Sequence, residues 1–148
     1  MMPVIVIGAD TAAGAAIVGG LVEPGREIRA FVTDAESAAA LKRLGVKVAI
    51  GDVSDETHIE VAALRCFTAV LVGEAATDDR ERFFASDPES VLRAWSRGIS
   101  ASGVRRAIWV IAGEPPSSRV AEVAVVSPGD ADLVEKVVAI DDAGTLTE

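Results

Sequence analysis

Val4-Ile5-Val6-Ile7-Gly8-Ala9-Asp10-Thr11-Ala12-Ala13-Gly14 is the stretch whose reading decides the fold. An unbroken run of β-branched residues reads as a strand buried on both faces, and Gly8 closes it in a tight turn. Thr11 to Leu21 is Ala-rich, with Ala15, Ile17, Val18 and Leu21 at helical spacing, and Pro24-Gly25 stops it. A strand that hands over to a helix through a glycine turn is the start of a βαβ unit.

Outward from this stretch the unit repeats. Ile28 to Val32 reads as a second strand, Ala35 to Leu44 as a second helix ending at Gly45, and Val46 to Ile50 as a third strand ending at Gly51-Asp52. Asp52 to Leu64 carries a helical pattern, Thr68 to Val72 reads as a fourth strand, and Glu74 to Asp87 as a polar loop with some helical character. Asp87-Pro88 sets an N-cap residue before a proline at the first position of a helix that runs to Gly103. Arg105 to Ile111 and Val120 to Val126 read as strands five and six on either side of a loop at 114–119, and Asp130 is expected to cap a last helix ending at Gly144. Crossovers of this kind are right-handed and give parallel pairing. The predicted fold class is α/β, three layers α/β/α, with a mostly parallel sheet of about six strands. The 148 residues are expected to form one domain, 1-148.

Composition agrees and narrows the function classes. Half the residues are hydrophobic but only 4% are aromatic, so Val, Ile, Leu and Ala must fill the core. There is no Tyr, which removes any mechanism that uses a tyrosine hydroxyl as acid or base. One cysteine, Cys66, excludes an internal disulfide and a cysteine-based metal site, and one histidine, His58, excludes His-rich zinc sites. A formal charge of -9 is wrong for a chain that neutralises nucleic-acid phosphates, so no nucleic-acid partner is expected. No apolar run reaches the length of a membrane span, so no membrane partner is expected and the chain is read as soluble and cytoplasmic.

The turn carries the chemistry. Binding a diphosphate there needs a tight bend, close backbone approach and free N–H groups at a helix N-terminus. Gly8 supplies the bend and Gly14 permits the helix to pack on the sheet. The middle position of the glycine pattern is Thr11, whose hydroxyl can donate to a phosphate or cap the helix. Ala12 and Ala13 offer the N–H groups of the first turn. Asp34, 20 residues beyond Gly14 at the end of the second strand, is placed to accept from an adenosine ribose. Asp10 puts a carboxylate into the turn, which opposes a diphosphate unless the side chain points away. Thr33 stands where a cation for a 2′-phosphate is wanted, so NAD is favoured slightly over NADP. Asp52, in Gly51-Asp52-Val53-Ser54-Asp55, is placed to meet an adenine amino group, and these residues hold more cap candidates than one helix needs. Gly73 closes the fourth strand at the same edge of the sheet. A tight turn that binds nothing remains the alternative.

These residues, with Arg29-Ala30-Phe31-Val32-Thr33-Asp34 and Leu44-Gly45-Val46, resemble the NmrA-like branch of the atypical short-chain dehydrogenases/reductases, which have an NAD(P)-binding Rossmann fold. The likeness runs over residues 3 to 72 and fades through 105 to 113. It implies pyrophosphate binding at Gly8, Thr11 and Gly14, ribose or 2′-phosphate selection at Thr33 and Asp34, and adenine contact at Asp52 and Val53. Many members have Gly where Thr11 stands and Arg where Thr33 stands, and their fifth strand often ends in serines rather than Val110-Ile111-Ala112-Gly113. The Tyr-x-x-x-Lys site cannot exist in a chain without Tyr. The family's substrate-binding portion extends well past the sixth strand, whereas this sequence stops at Glu148.

The remaining residues are read plainly. His58 is expected on the surface, Cys66 as a buried inert thiol, and Asp78-Asp79-Arg80-Glu81-Arg82 as a solvated loop or helix face. Phe83-Phe84 reads as a lid or a loop anchor, Trp95 as core or subunit interface, and Trp109 as core. The expected function is a Rossmann-like dinucleotide-binding protein with no catalytic and no metal residues, sensory or regulatory in role. The alternatives are an NAD(P)H-dependent flavin or quinone reductase without a protein acid, and a non-binding interaction module. A homodimer is expected from the high apolar fraction of a short chain.

Overall fold

The apolar runs become six strands: β1 (Val4–Ile7), β2 (Ile28–Val32), β3 (Lys47–Ile50), β4 (Thr68–Val72), β5 (Arg106–Val110) and β6 (Glu122–Val126). The structure, a computed structural model, describes residues 2–144. All strands are parallel and lie in the order β3-β2-β1-β4-β5-β6. Ile5 of β1 stands level with Arg29 of β2 and Ala69 of β4, and Trp109 of β5 with Val125 of β6. The chain leaves β1 in one direction as far as β3, then returns to the other side of β1 at β4. That reversal makes the carboxyl ends of β1 and β4 the topological switch point, the place where open α/β sheets take ligands.

Among the described residues six helices cover the sheet: α1 (Ala12–Leu21), α2 (Ala35–Lys42), α3 (Glu56–Ala62), α4 (Glu74–Thr77), α5 (Pro88–Ser102) and α6 (Leu133–Asp142). Strand alternation sends Val4 and Val6 to a core with Ile17, Val18 and Leu21 of α1, Leu41 of α2 and Val137 of α6. It sends Ile5 and Ile7 to a second core with Ile59 of α3 and Val91, Trp95 and Ile99 of α5. The fold is therefore the expected Rossmann-like three-layer α/β/α sandwich.

Local signals placed most helix ends. Asp34, Asp55 and Asp87 cap α2, α3 and α5 with their side chains, Pro88 opens α5, and left-handed Gly103 closes it. Several boundaries differ. Thr11 caps α1 rather than belonging to it, and α3 starts only at Glu56 because Asp52 to Asp55 form the turn before it. α6 begins at Leu133, not at Asp130: the Asp130 carboxylate instead accepts the Asp132 N–H at 2.9 Å and pairs with Lys136. Its C-cap is Ala143, one residue before Gly144. No helix crosses between β5 and β6, so Val123 and Val125, on the α5 side of the edge strand, stay 44% exposed. Among the described residues no helix is long and apolar enough to cross a membrane.

Candidate functional site

The turn after β1 is held by its own hydrogen bonds. Gly8 has φ +87°, a conformation that side chains resist, and its carbonyl accepts the Thr11 N–H at 3.1 Å and the Thr11 hydroxyl at 2.7 Å. Thr11 Oγ1 in turn accepts the Gly14 N–H at 2.9 Å. Of the two uses open to this hydroxyl, it serves as the helix cap. A Cβ on Gly14 would stand 2.0 Å from the Gly8 carbonyl oxygen, so only glycine lets α1 approach β1 this closely. The Ala12 and Ala13 N–H groups have no protein acceptor among the described residues, and they are the donors the turn offers to a diphosphate.

Asp10 points away from that place. Its Oδ2 accepts the N–H groups of Thr33 at 2.8 Å and Asp34 at 3.2 Å, at the end of β2. Nη1 of Arg80 donates to its Oδ1 at 2.9 Å, to its Oδ2 at 3.2 Å and to Thr33 Oγ1 at 3.2 Å. The Asp10 side chain is 3% exposed. Asp34, expected on a ribose, spends its carboxylate on the N–H groups of Glu36 and Ser37 and on the Ser37 hydroxyl. These bonds, the hydroxyl's first, hold it below the usual carboxylate range.

The segment around Arg80, expected as a solvated loop or helix face, instead lies across this edge. The fork of Arg80 grips Asp78, Nε on Oδ1 at 2.8 Å and Nη2 on Oδ2 at 2.7 Å, while Arg82 donates to the carbonyls of Asp78 and Arg80. Both arginine side chains are 11% exposed. Further on, the Phe83 N–H donates to Asp52 Oδ2 at 2.7 Å and the Phe84 N–H to Ser54 Oγ at 3.1 Å. Residues 78–84 therefore form a strap over the ends of β2 and β3. Asp52 and Ser54 thereby find a use: Asp55 caps α3, while the other two receive the strap. Burial pushes the Asp52 carboxyl up, but the Ser54 and Phe83 hydrogen bonds and the Arg82 charge outweigh it and leave it below its ordinary value. Asp78 behaves likewise, burial being overcome by the Arg80 guanidinium.

The other candidates sort into core and edge. Val53 is fully buried and its carbonyl accepts Trp95 Nε1 at 2.7 Å, which places Trp95 in the core rather than at an interface. Gly73 closes β4 with its N–H on the Val110 carbonyl at 3.0 Å. His58, expected on the surface, is half-buried there, edge-on to Phe31 with ring centroids 4.9 Å apart, in the space left by Gly51. Cys66 is buried and its thiol is pushed up to about 11 by burial, which keeps it protonated and inert. Phe83 and Phe84 are 79% and 68% exposed: the backbone of the strap is anchored and its rings are not. The sequence signal for the strap was present in the two arginines of Asp78-Asp79-Arg80-Glu81-Arg82, placed just after β4 at the carboxyl edge.

No family model matches the chain, and no curated protein matches it. Among solved structures it is similar to the triphenylmethane reductase of Citrobacter sp. complexed with NADP(H), at 18% identity and TM-score 0.60 over 73% of this chain and 36% of that one. It is similar also to an NADPH-dependent quinone oxidoreductase of Escherichia coli complexed with NADPH, at 20% identity and TM-score 0.59 over 72% and 36%. A third is the anaerobilin reductase ChuY of Escherichia coli O157:H7, at 21% identity and TM-score 0.56 over 73% and 50%. The chain thus spans between about a third and half of the length of these neighbours. At such identities the likeness carries the architecture alone: this chain has the Rossmann-like α/β fold found in NAD(P)-binding reductases.

Proposed function

We propose that the chain is a non-catalytic nicotinamide-dinucleotide sensor, related to the NmrA-like proteins, in which the bound dinucleotide displaces the end of the strap at Phe83 and Phe84. The observation that carries this reading is the docking of the Phe83 and Phe84 N–H groups on Asp52 and Ser54. Those acceptors lie after β3, on the adenosine side of the crevice that Rossmann folds use. The diphosphate would rest on the Ala12 and Ala13 N–H groups, with Gly8 and Gly14 giving the turn its shape. A bound nicotinamide would supply hydride chemistry, but the chain has no Tyr to protonate the oxygen of a carbonyl substrate, which favours sensing over turnover. Because adenosine and strap compete for one surface, occupancy becomes a change in the exposed aromatic pair. Binding of this kind moves an equilibrium only by its differential affinity for the two states.

The test is titration with NADH and with ADP-ribose, followed by thermal unfolding and amide exchange. A ligand at 100 times its Kd stabilises by about 2.7 kcal/mol, and the Phe83 and Phe84 amides should exchange faster in its presence. Absence of a thermal shift with every dinucleotide would end this reading and leave the interaction-module alternative, in which the strap permanently fills the site. Turnover of quinone or flavin with NADH would show an enzyme instead.

A further inference from the structure

Asp10 breaks the ordinary rule that a carboxylate does not belong in a diphosphate-binding turn, and the way it is held gives the reason. Its Oδ2 takes two consecutive backbone N–H groups, those of Thr33 and Asp34, and Arg80 closes the third side with its Nη1 on both carboxylate oxygens. Two adjacent amides and a guanidinium converging on one buried acceptor are the components of an anion site. At the end of β2 in a Rossmann fold, the ligand group that comes to this place is the adenosine ribose 2′ substituent. In this chain the anion is already present, covalently attached.

We propose that Asp10 is a built-in occupant of an anion site formed by the Thr33 and Asp34 N–H groups and Arg80, and that it makes the chain select NAD(H) against NADP(H). The inference rests on the dinucleotide reading above and names the discriminating residue. A 2′-phosphate would need the donors that Asp10 holds and would stand beside its carboxylate. Two anions competing for one set of donors repel, and Arg80 cannot compensate, since its remaining fork is committed to Asp78 at 2.7 and 2.8 Å. A ribose 2′-hydroxyl carries no charge and meets no such repulsion from the Asp10 carboxylate. Asp34, the residue that the spacing of the sequence sets beside the ribose, has its own carboxylate spent as the cap of α2. The Asp10 anchors on Thr33 and Asp34 are separate from the Phe83 and Phe84 contacts, so this discrimination persists when that end of the strap is displaced.

The experiment compares the native chain with Asp10→Ala, Asp10→Asn and the double variant Asp10→Ala/Arg80→Gln, each checked for folding by circular dichroism. NADH, NADPH and inorganic phosphate are the probes. The native chain should bind NADH at least about tenfold more tightly than NADPH. Asp10→Ala should move that ratio toward NADPH by about tenfold or more, and the double variant should lose the gain. Asp10→Asn keeps the size and removes the charge, so it tests repulsion should the alanine variant unfold; it too should move the ratio toward NADPH. Equal affinities in the native chain, or a ratio unchanged by both Asp10 substitutions, would overturn the proposal. Inorganic phosphate reads the anion site without a dinucleotide: millimolar phosphate should raise the melting temperature of Asp10→Ala but not of the native chain or the double variant. A phosphate effect with no dinucleotide bound by any variant would sink the sensor reading and leave the anion site standing. No phosphate effect on a folded Asp10→Ala would overturn the anion site itself.

Discussion

At the scale of the residue, one hydroxyl decides how the turn after β1 is organised. Thr11 replaces the glycine that would let a diphosphate come closest, and its Oγ1 joins the Gly8 carbonyl to the Gly14 N–H. It therefore satisfies one of the orphan donors at the start of α1 with protein instead of ligand. The residue is 5% exposed, so water does not readily replace what it provides. Thr11→Ala should lower stability by about 1 kcal/mol, the usual cost of a lost N-cap, read as a shift of the urea midpoint without a change in slope. An unchanged midpoint would mean that the hydroxyl contributes nothing as a cap. Nothing in a string of letters tells a capping threonine from a phosphate-binding one, because both are β-branched residues with one oxygen at the same position. Only the partner of that oxygen separates them.

At the scale of the element, α6 is the helix whose attachment the sequence showed least. Val134, Val137 and Val138 pack on the core beneath it, and Gly20 of α1 leaves room for Val134. Two arginines from elsewhere hold its C-terminus. Arg106, the first residue of β5, has a fully buried side chain and donates to the carbonyls of Ile140, Asp141 and Ala143. It also binds Glu122 Oε1, through Nη2 at 2.7 Å and Nε at 3.1 Å. Arg26 reaches the Asp141 carboxylate with both terminal nitrogens, at 2.6 and 3.0 Å. A cation at a helix C-terminus complements its dipole, and here it also satisfies the last carbonyls. Arg106→Leu should cost about 3 kcal/mol or more, because it takes a fully buried cation away from the last carbonyls of α6 and from the Glu122 carboxylate at once. The expected signature is a lower melting temperature with early proteolytic cleavage near α6, whereas a loss below about 1 kcal/mol would place the pair in the class of weak surface bridges.

At the scale of the molecule, what was legible follows sequence separation. Strands, glycine turns and most helix caps are decided within a few residues, and the alternation of Val4-Ile5-Val6-Ile7 alone assigns both core faces. The strap is decided across 70 residues, the distance from Asp10 to Arg80, and across 31 from Asp52 to Phe83. Mixed charges in a polar run read as solvated because most such runs are, and only their tertiary partners make Arg80 and Arg82 buried. The same partners give the molecule a common response to acid. The caps Asp34 and Asp87, the turn residue Asp130, the strap residue Asp78 and its acceptor Asp52 all titrate below their ordinary values, as does Glu27 in its bond to Arg29. A carboxyl with a depressed folded-state value contributes stability that is complete above its unfolded value and is lost as pH falls through the folded one. With unfolded values near about 4, stability should hold at neutral pH, begin to fall as pH drops below roughly 5, and fall steeply beneath about 4. The strap should loosen with it, since protonated Asp52 gives up the charge that holds the Phe83 N–H and faces Arg82. Amide exchange at Phe83 and Phe84 should therefore accelerate in acid before the sheet does, and Asp52→Asn should remove much of that pH dependence. Synchronous exchange of strap and sheet at every pH would mean that the strap has no independent opening, and with it no means of reporting a ligand.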